Sequence, residues 1–306
     1  MWRRLIGLGF TVAIIGMAAF WYLTEPQSVS AGALAASYKP DLANGVTMFN
    51  IGGCAACHAP DKDQRTKLGG GVALKSPFGT FYAPNISPDR QDGIGGWNEA
   101  QFVTAMTKGT SPAGDHLYPA FPYTSYQHMR VADVRDLFAY LKTLPPVSGR
   151  ARPHDLPFPF TIRRLLGGWK LLFLDGKPFT PDPTQSAEWN RGAYLVNGPG
   201  HCAECHSPRD SLGGILAAER FAGGPNPEGE GWVPNITQKR LGSWSVKDIA
   251  YLLQSGATPD FDSVGGGMAA VIRNTSQLSD ADRMAMAVYI KSLKPIDGPE
   301  PPPKKK

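Results

Sequence analysis

The sequence predicts a mainly α-helical protein in which two similar domains follow an N-terminal transmembrane helix. Three observations support this fold class. The chain starts with an uncharged apolar run, Leu5 to Leu23. A block of residues around position 54 is repeated around position 202, and each copy ends in a segment whose apolar residues have helical spacing. A chain of 306 residues is long enough to contain two such domains.

The composition excludes several broad classes of protein. Hydrophobic residues make up 42% of the chain and charged residues 19%, which excludes a wholly disordered protein. The 35 Gly and 28 Pro residues indicate long, turn-rich connections. The formal net charge is +5, and Lys304, Lys305 and Lys306 supply three of these charges within a predicted basic tail, 297–306. Because the other basic residues form no large cluster, we expect no nucleic-acid partner.

The first element is a predicted signal anchor, residues 1–26. Arg3 and Arg4 precede Leu5 to Leu23, a run of 19 uncharged residues that is nearly long enough to cross a bilayer as a helix. Positive charges before the helix keep the N-terminus in the cytoplasm, so we expect the rest of the chain on the periplasmic side of a bacterial inner membrane. A cleaved signal peptide stays open as an alternative, because the small residues between Ser28 and Ala36 suit a cleavage site.

All four cysteines belong to two copies of the pattern Cys-x-x-Cys-His, formed by Cys54, Cys57 and His58 and by Cys202, Cys205 and His206. In this pattern the thiols attach haem c through thioether bonds, and the imidazole binds the iron. A redox dithiol and a zinc knuckle also use Cys-x-x-Cys, but they do not require the His that follows. We therefore predict two covalently attached haem c groups, with the two histidines as proximal iron ligands.

Matching segments predict two tandem class I-type cytochrome c domains, over residues 38–147 and 187–296. In each domain a Pro-Asn-Ile tripeptide follows the haem motif, starting at Pro84 and at Pro234. Repetition at this long period indicates duplication of a whole domain. The closing helices are predicted at Val134 to Leu144 and Arg283 to Leu293, with Asp133 and Ser279-Asp280 as N-caps.

Each haem iron is expected to have a second axial ligand, and methionine suits an electron carrier because its thioether favours reduced iron. In domain 1 the ligand should come from the loop before the closing helix, where Met129 is the candidate and His128 and His116 stay open as alternatives. In domain 2, Met268 follows Gly265 to Gly267, a flexible run that lets the backbone approach a flat macrocycle. Met129 and Met268 are thus the predicted distal ligands.

The segment between the domains, residues 148–186, is rich in proline but too apolar for a free tether. Arg163 and Arg164 precede a run from Leu165 to Leu174 that is apolar except for one lysine. Such a run can lie in a membrane interface, pack on a partner subunit, or cover the two domains as a strap. All three interpretations stay open at this point.

Three stretches of the chain match a known family: Trp189 to Arg209, Leu117 to Tyr123, and Gly168-Trp169-Lys170. They resemble the cytochrome c subunit of membrane-bound periplasmic alcohol, gluconate and related dehydrogenases. The resemblance covers nearly the whole chain after the anchor. It implies that a flavin or quinoprotein subunit oxidises the substrate and that the cytochrome subunit passes electrons to membrane quinone or another cytochrome. Typical subunits of the family carry three haem motifs, whereas this sequence has two, so the dehydrogenase partner and the electron exit route stay open.

Together these observations predict a membrane-anchored, periplasmic dihaem cytochrome c without catalytic residues of its own. It would carry single electrons from a periplasmic dehydrogenase to the respiratory chain. The alternative is a dihaem redox enzyme, peroxidase-like or thiosulfate-oxidising, in which one iron keeps an open site. A distal methionine in both domains favours the electron carrier.

Overall fold

The structure is a computed structural model that describes residues 2–302. These residues form thirteen α-helices and two short antiparallel hairpins, which confirms the mainly helical fold class. The last residues of the predicted basic tail, 303–306, lie outside the described part of the chain.

The N-terminal helix α1, Trp2–Leu23, corresponds to the predicted anchor. None of its side chains is buried by the rest of the protein. Its most apolar window has a mean hydropathy of 1.9, and within the described residues it is the one helix that is long and apolar enough to cross a bilayer. This helix could therefore serve as a membrane anchor.

A first helical group follows, spanning residues 42–141. It contains α2 (Leu42–Ile51), α3 (Cys54–His58), α4 (Glu99–Lys108), α5 (Tyr123–Tyr126) and α6 (Val131–Leu141), with a hairpin of β1 (Ala73–Ser76) and β2 (Gly79–Tyr82). In the hairpin Ala73 pairs with Tyr82. Polar caps define where the longer helices begin: Asp41 caps α2, and Asn98 and Gln101 form a capping box on α4.

A second helical group spans residues 187–292. It contains α8 (Ala187–Asn197), α9 (Ala203–His206), α10 (Gln238–Leu241), α11 (Val246–Ser255), α12 (Gly266–Thr275) and α13 (Asp280–Ser292), with a short hairpin of β3 (Gly224–Pro225) and β4 (Trp232–Val233). Both groups thus contain, in the same order, a helix, a haem motif, a hairpin and further helices. Ser245 and Asp248 form a capping box on α11, as Asn98 and Gln101 do on α4.

In each group the first helix crosses the last helix at a glycine. A Cβ atom at Gly45 in α2 would overlap the Asp136 carbonyl oxygen of α6, and one at Gly192 in α8 would overlap the Ala285 carbonyl oxygen of α13. Only a residue without a side chain permits these close approaches. The two crossings bring each haem motif against the core of its group.

The closing helices begin slightly differently from the prediction. Ser279 caps α13, and its hydroxyl accepts the Asp282 backbone N–H. By contrast, the predicted cap Asp133 lies inside the first turn of α6, where Arg130 is the capping position. The Asp133 carboxylate is engaged elsewhere, because it accepts hydrogen bonds from the Arg130 guanidinium at 2.7 Å and from the Tyr194 hydroxyl.

The two groups share one hydrophobic core, and the linker covers them both. Helix α7 (Leu165–Phe173) lies within the linker. Its Trp169 indole donates to the Leu212 carbonyl at 2.9 Å, in the second group, and its Lys170 Nζ donates to the Gly109 carbonyl at 2.6 Å, in the first. One face of α7 therefore covers both groups, which is one of the three interpretations of the linker that the sequence left open.

Candidate haem-attachment sites

The first motif lies on the short helix α3. Gly53, before it, has a left-handed conformation (φ +62°) that turns the chain from α2 into α3. Because Cys54, Cys57 and His58 are spaced by three and four positions, they share one side of this single turn. Burial raises the pKa of Cys54 to about 12 and that of Cys57 to about 11, so before haem attachment both are neutral thiols at physiological pH.

The His58 ring is fixed by the first Pro-Asn-Ile tripeptide. Its Nδ1 lies 2.8 Å from the Pro84 carbonyl oxygen. A carbonyl oxygen can only accept, so Nδ1 carries the proton and Nε2 keeps a free lone pair. Burial also lowers the pKa of His58, which keeps the ring neutral. A neutral imidazole held through Nδ1 is the form that binds iron through Nε2.

The second motif repeats this arrangement on α9. His206 Nδ1 lies 2.8 Å from the Pro234 carbonyl oxygen, and burial lowers the pKa of His206. Burial raises the pKa of Cys202 to about 11 and that of Cys205 to about 12. His201 precedes the motif with φ +39°, so it takes the left-handed position that Gly53 takes in the first motif.

The donor set at both motifs fits haem c. None of the four cysteines is paired in a disulfide bond. Each motif offers two thiols and one Nε2 lone pair on a single turn, which are the groups that two thioether bonds and one iron bond require. Among residues 2–302 no three His, Cys, Asp or Glu side chains converge as metal ligands.

The two methionines predicted as distal ligands differ in their surroundings. Met129 is 2% exposed and belongs to the hydrophobic core just before α6. It lies eleven residues before Tyr140, and Leu278 lies eleven residues before Tyr289 in the second group, so the two residues correspond. Met268 is partly buried in the first turn of α12 rather than on a loop.

The two alternative histidines are held by carbonyl groups outside the haem motifs. His116 is buried, and its Nε2 lies 2.9 Å from the Thr24 carbonyl oxygen at the end of α1. His128 Nδ1 lies 2.7 Å from the Lys177 carbonyl oxygen in the linker. Each ring therefore connects the first group to another part of the chain.

The segments that immediately precede the two haem motifs contact each other. His201 Nε2, beside the second motif, lies 3.3 Å from the Gly52 carbonyl oxygen beside the first motif. The Arg65 guanidinium joins the same region, donating to Asn50 at 3.0 Å in α2 and to Asn274 at 2.6 Å in α12. These contacts hold the two attachment sites in a fixed relation.

A buried carboxylate in the second motif also joins the groups. Glu204 accepts hydrogen bonds from Thr124 at 2.8 Å and Ser125 at 2.7 Å, both in the first group, and pairs with Arg209 at 2.7 Å. Burial alone would raise its pKa, but Arg209 and the two hydroxyl groups together hold the pKa of Glu204 below its usual value.

Sequence reasoning did not assign roles to Glu204, Pro84 and Pro234. The repeated Pro-Asn-Ile tripeptide was the signal that could have identified the two prolines, since each follows its motif histidine by nearly the same distance. The neighbouring Asn85 is a turn residue, because its side chain accepts the Ser87 N–H at 2.9 Å.

Comparison with known proteins gives the family. The model of the cytochrome c family matches residues 42–145. A protein of Cereibacter sphaeroides described as "Diheme cytochrome c-type" is 50% identical over 298 residues, which cover 96% of this chain and 100% of that protein. The chain belongs to the dihaem c-type cytochromes. This dihaem cytochrome carries two covalently bound haem c groups, as its four cysteines predicted.

Two further relatives are parts of dehydrogenases. The fructose dehydrogenase cytochrome subunit of Gluconobacter japonicus is 38% identical over 276 residues, which cover 88% of the dihaem cytochrome and 55% of that subunit. The cytochrome c subunit of the quinone-dependent alcohol dehydrogenase of Gluconacetobacter polyoxogenes is 39% identical over 267 residues, which cover 82% of the dihaem cytochrome and 56% of that subunit. The resemblance to cytochrome subunits of alcohol, fructose and gluconate dehydrogenases is thereby confirmed, and it indicates electron transfer rather than catalysis.

Proposed function

We propose that this chain is a membrane-anchored periplasmic electron carrier. It takes single electrons from a periplasmic dehydrogenase subunit and passes them to quinone or another cytochrome at the inner membrane. The observation that carries this proposal is the contact between the residues that flank the two haem motifs, His201 Nε2 to the Gly52 carbonyl oxygen at 3.3 Å, within one shared core. Two redox groups attached on either side of such a contact form a relay inside one chain.

Haem c supplies one-electron chemistry at its iron, and the protein's part is to hold, orient and shield it. Cys54, Cys57, Cys202 and Cys205 are proposed to attach the porphyrins, and His58 and His206 to bind the irons. The Pro84 and Pro234 carbonyl groups, each 2.8 Å from a ring Nδ1, fix the two imidazoles. A rigid ring that needs no rearrangement suits a site that changes only its charge.

The domain arrangement belongs to the same proposal. We assign two tandem class I-type cytochrome c domains to residues 38–147 and 187–296, joined by the linker 148–186. The repeated order of elements and the matched helix crossings at Gly45 and Gly192 support this assignment. Arg3 and Arg4, in the first turn of α1 and ahead of its apolar run, support an anchor at 1–26 that leaves both domains on the periplasmic side.

Met129 and Met268 are proposed as the distal ligands. The test is Met129→Leu and Met268→Leu, each measured through the near-infrared sulfur-to-iron absorption band of the ferric protein. Each variant should lose about half of the band, because one of two sulfur ligands is removed. Because Leu278 occupies the position corresponding to Met129 in the second group and leucine is close to methionine in volume, we expect Met129→Leu to fold.

A full band in Met129→Leu would remove Met129 from the ligand set. Cyanide and peroxide additions to the unmodified protein then test the function itself. Two irons inert to both reagents agree with an electron carrier. A reactive high-spin iron would contradict it and favour the redox enzyme.

A further inference from the structure

Helix α7 has an apolar surface that does not pack against the hydrophobic core. Leu165, Leu171 and Leu172 are 47%, 58% and 67% exposed, and we name them the α7 patch. The opposite side of the helix is packed: Gly167 and Lys170 are buried, and Lys170 is bonded to the first group. The α7 patch is therefore mostly exposed on the described part of the chain.

The α7 patch lies beside the last turn of α1. A Cβ atom added at Gly168, on the outward side of α7, would lie 3.1 Å from the Phe20 ring of α1. The Arg164 guanidinium stacks over the Trp21 ring at 4.2 Å and donates a hydrogen bond to the Trp21 carbonyl. The outward surface of α7 thus continues directly into the surface of α1.

The connection between α1 and α7 is close. A Cβ atom at Gly167 would lie 2.5 Å from the Thr24 side chain and 2.9 Å from His116 Nε2, so only glycine permits this approach. His116 Nε2 also bonds the Thr24 carbonyl oxygen at 2.9 Å. The end of α1 is therefore held against α7 and the first group instead of leaving them on a flexible stalk.

The chemistry of this region matches a membrane interface. Trp21 and Tyr22 are 63% and 78% exposed at the end of α1, where aromatic residues mark the border between acyl chains and water. Arg164 places a cation at the same level, where lipid phosphate groups lie. The three leucines of the α7 patch add exposed apolar surface beside the end of α1.

We propose that α7 lies in the interface of the lipid bilayer, with the α7 patch in contact with the lipid. The proposal rests on the proposed anchoring by α1. Because α7 also bonds both helical groups, it would fix the height and tilt of the haem sites above the membrane. The occupant of the α7 patch is thus the bilayer, rather than a second copy of the chain or another subunit.

The test is photo-crosslinking of the full chain, with both haems, in nanodiscs of phosphatidylcholine and phosphatidylglycerol. The photoreactive residue p-benzoylphenylalanine replaces Leu172 or Leu171 in the α7 patch. Phe261, fully exposed in the loop between α11 and α12, is the matched control, and Ile14 in α1 reports on anchoring. The haem absorption spectrum checks that each variant is folded. Lipid adducts are then measured by mass spectrometry.

We expect lipid adducts at positions 171 and 172 that exceed those at 261 several-fold and approach those at 14. Adducts at 14 but not at 171 or 172 would overturn the interfacial position of α7 and leave the anchor standing. The absence of lipid adducts at 14 as well would overturn the anchoring on which the proposal rests. A crosslink from 172 to a second polypeptide would assign the α7 patch to a protein partner and refute the lipid contact.

Discussion

The Glu204→Gln substitution tests how strongly the second haem motif holds the first helical group. Glu204 is 9% exposed and receives hydrogen bonds from Thr124 and Ser125, which belong to the first group, as well as an ion pair from Arg209. Glutamine keeps the size of the side chain and one acceptor oxygen, but it removes the charge and turns an amide donor toward Arg209. The change therefore isolates the electrostatic part of the contact.

The expected loss is about 3 kcal/mol of unfolding free energy. Hydrogen bonds to a charged acceptor contribute about 1.5–3 kcal/mol each and neutral ones about 0.5–1.5, so the two hydroxyl bonds together weaken by roughly 2 kcal/mol. Breaking a fully buried ion pair costs about 3–5 kcal/mol. The Arg209 side chain is 27% exposed and keeps its bond to the Gly213 carbonyl at 2.7 Å, so only about 1 kcal/mol of that cost is expected here.

The assay is urea unfolding of the full haem-loaded chain in detergent micelles, followed by circular dichroism. Ser125→Ala should cost about 1.5–2 kcal/mol in the unmodified chain and about 1 kcal/mol less in the Glu204→Gln background, because the two residues share one bond. Glu188→Gln, at an exposed position on α8, is the control and should change stability by less than about 0.5 kcal/mol. A loss below about 1 kcal/mol for Glu204→Gln, or additive effects with Ser125→Ala, would refute this account of the contact.

Two further predictions concern a helix crossing and a buried lysine. Gly192→Ala should destabilise the protein by about 1–3 kcal/mol, because the new Cβ overlaps the Ala285 carbonyl oxygen. Thermal unfolding measures this loss, and Gly32→Ala, which adds a Cβ in open space, is the control. Equal effects of the two substitutions would contradict the prediction. Burial lowers the pKa of Lys170 from 10.5 to about 7. Between these values the unfolded chain binds a proton that the folded chain does not, so stability should rise with pH by up to about 1.4 kcal/mol per pH unit. Lys170→Met should remove that slope in urea unfolding between pH 7.5 and 9.5, and an unchanged slope would show that Lys170 is not its source.

The features that the sequence predicted well are local or periodic. Helix α1 follows from one uncharged run, and two haem c groups follow from five-residue motifs whose spacing alone places thiols and imidazole on one helical turn. The closing helix α13 was predicted together with its Ser279 cap because cap and helix are neighbours in the chain. The haem-binding and iron-binding residues themselves stay predictions, with Met129 and Met268 the least constrained by local pattern.

The features that the sequence did not predict depend on distant partners. Glu204 binds Ser125 across 79 positions, and no pattern around either residue identifies the other. The N-cap of α6 was assigned to Asp133, which is instead recruited by Tyr194 from the second group. The role of the linker helix α7 was ambiguous in the sequence because only one of its faces packs on the protein. The contacts of Gly167 and Lys170 distinguish the packed face from the exposed one.

The shared core described above limits how far the two halves can be treated as modules. Ile51 of the first group lies against Gly200 of the second, where an added Cβ would be 3.2 Å from the Ile51 side chain, and Leu195 belongs to the same hydrophobic cluster. Separating the halves would expose this apolar surface to water and remove the hydrogen bonds of the Glu204 carboxylate to Thr124 and Ser125. Although the sequence has the pattern of a duplicated unit, each helical group buries part of its apolar surface against the other group. If one half is exchanged between related proteins, we therefore expect that residues at the contact between the two halves must be changed as well.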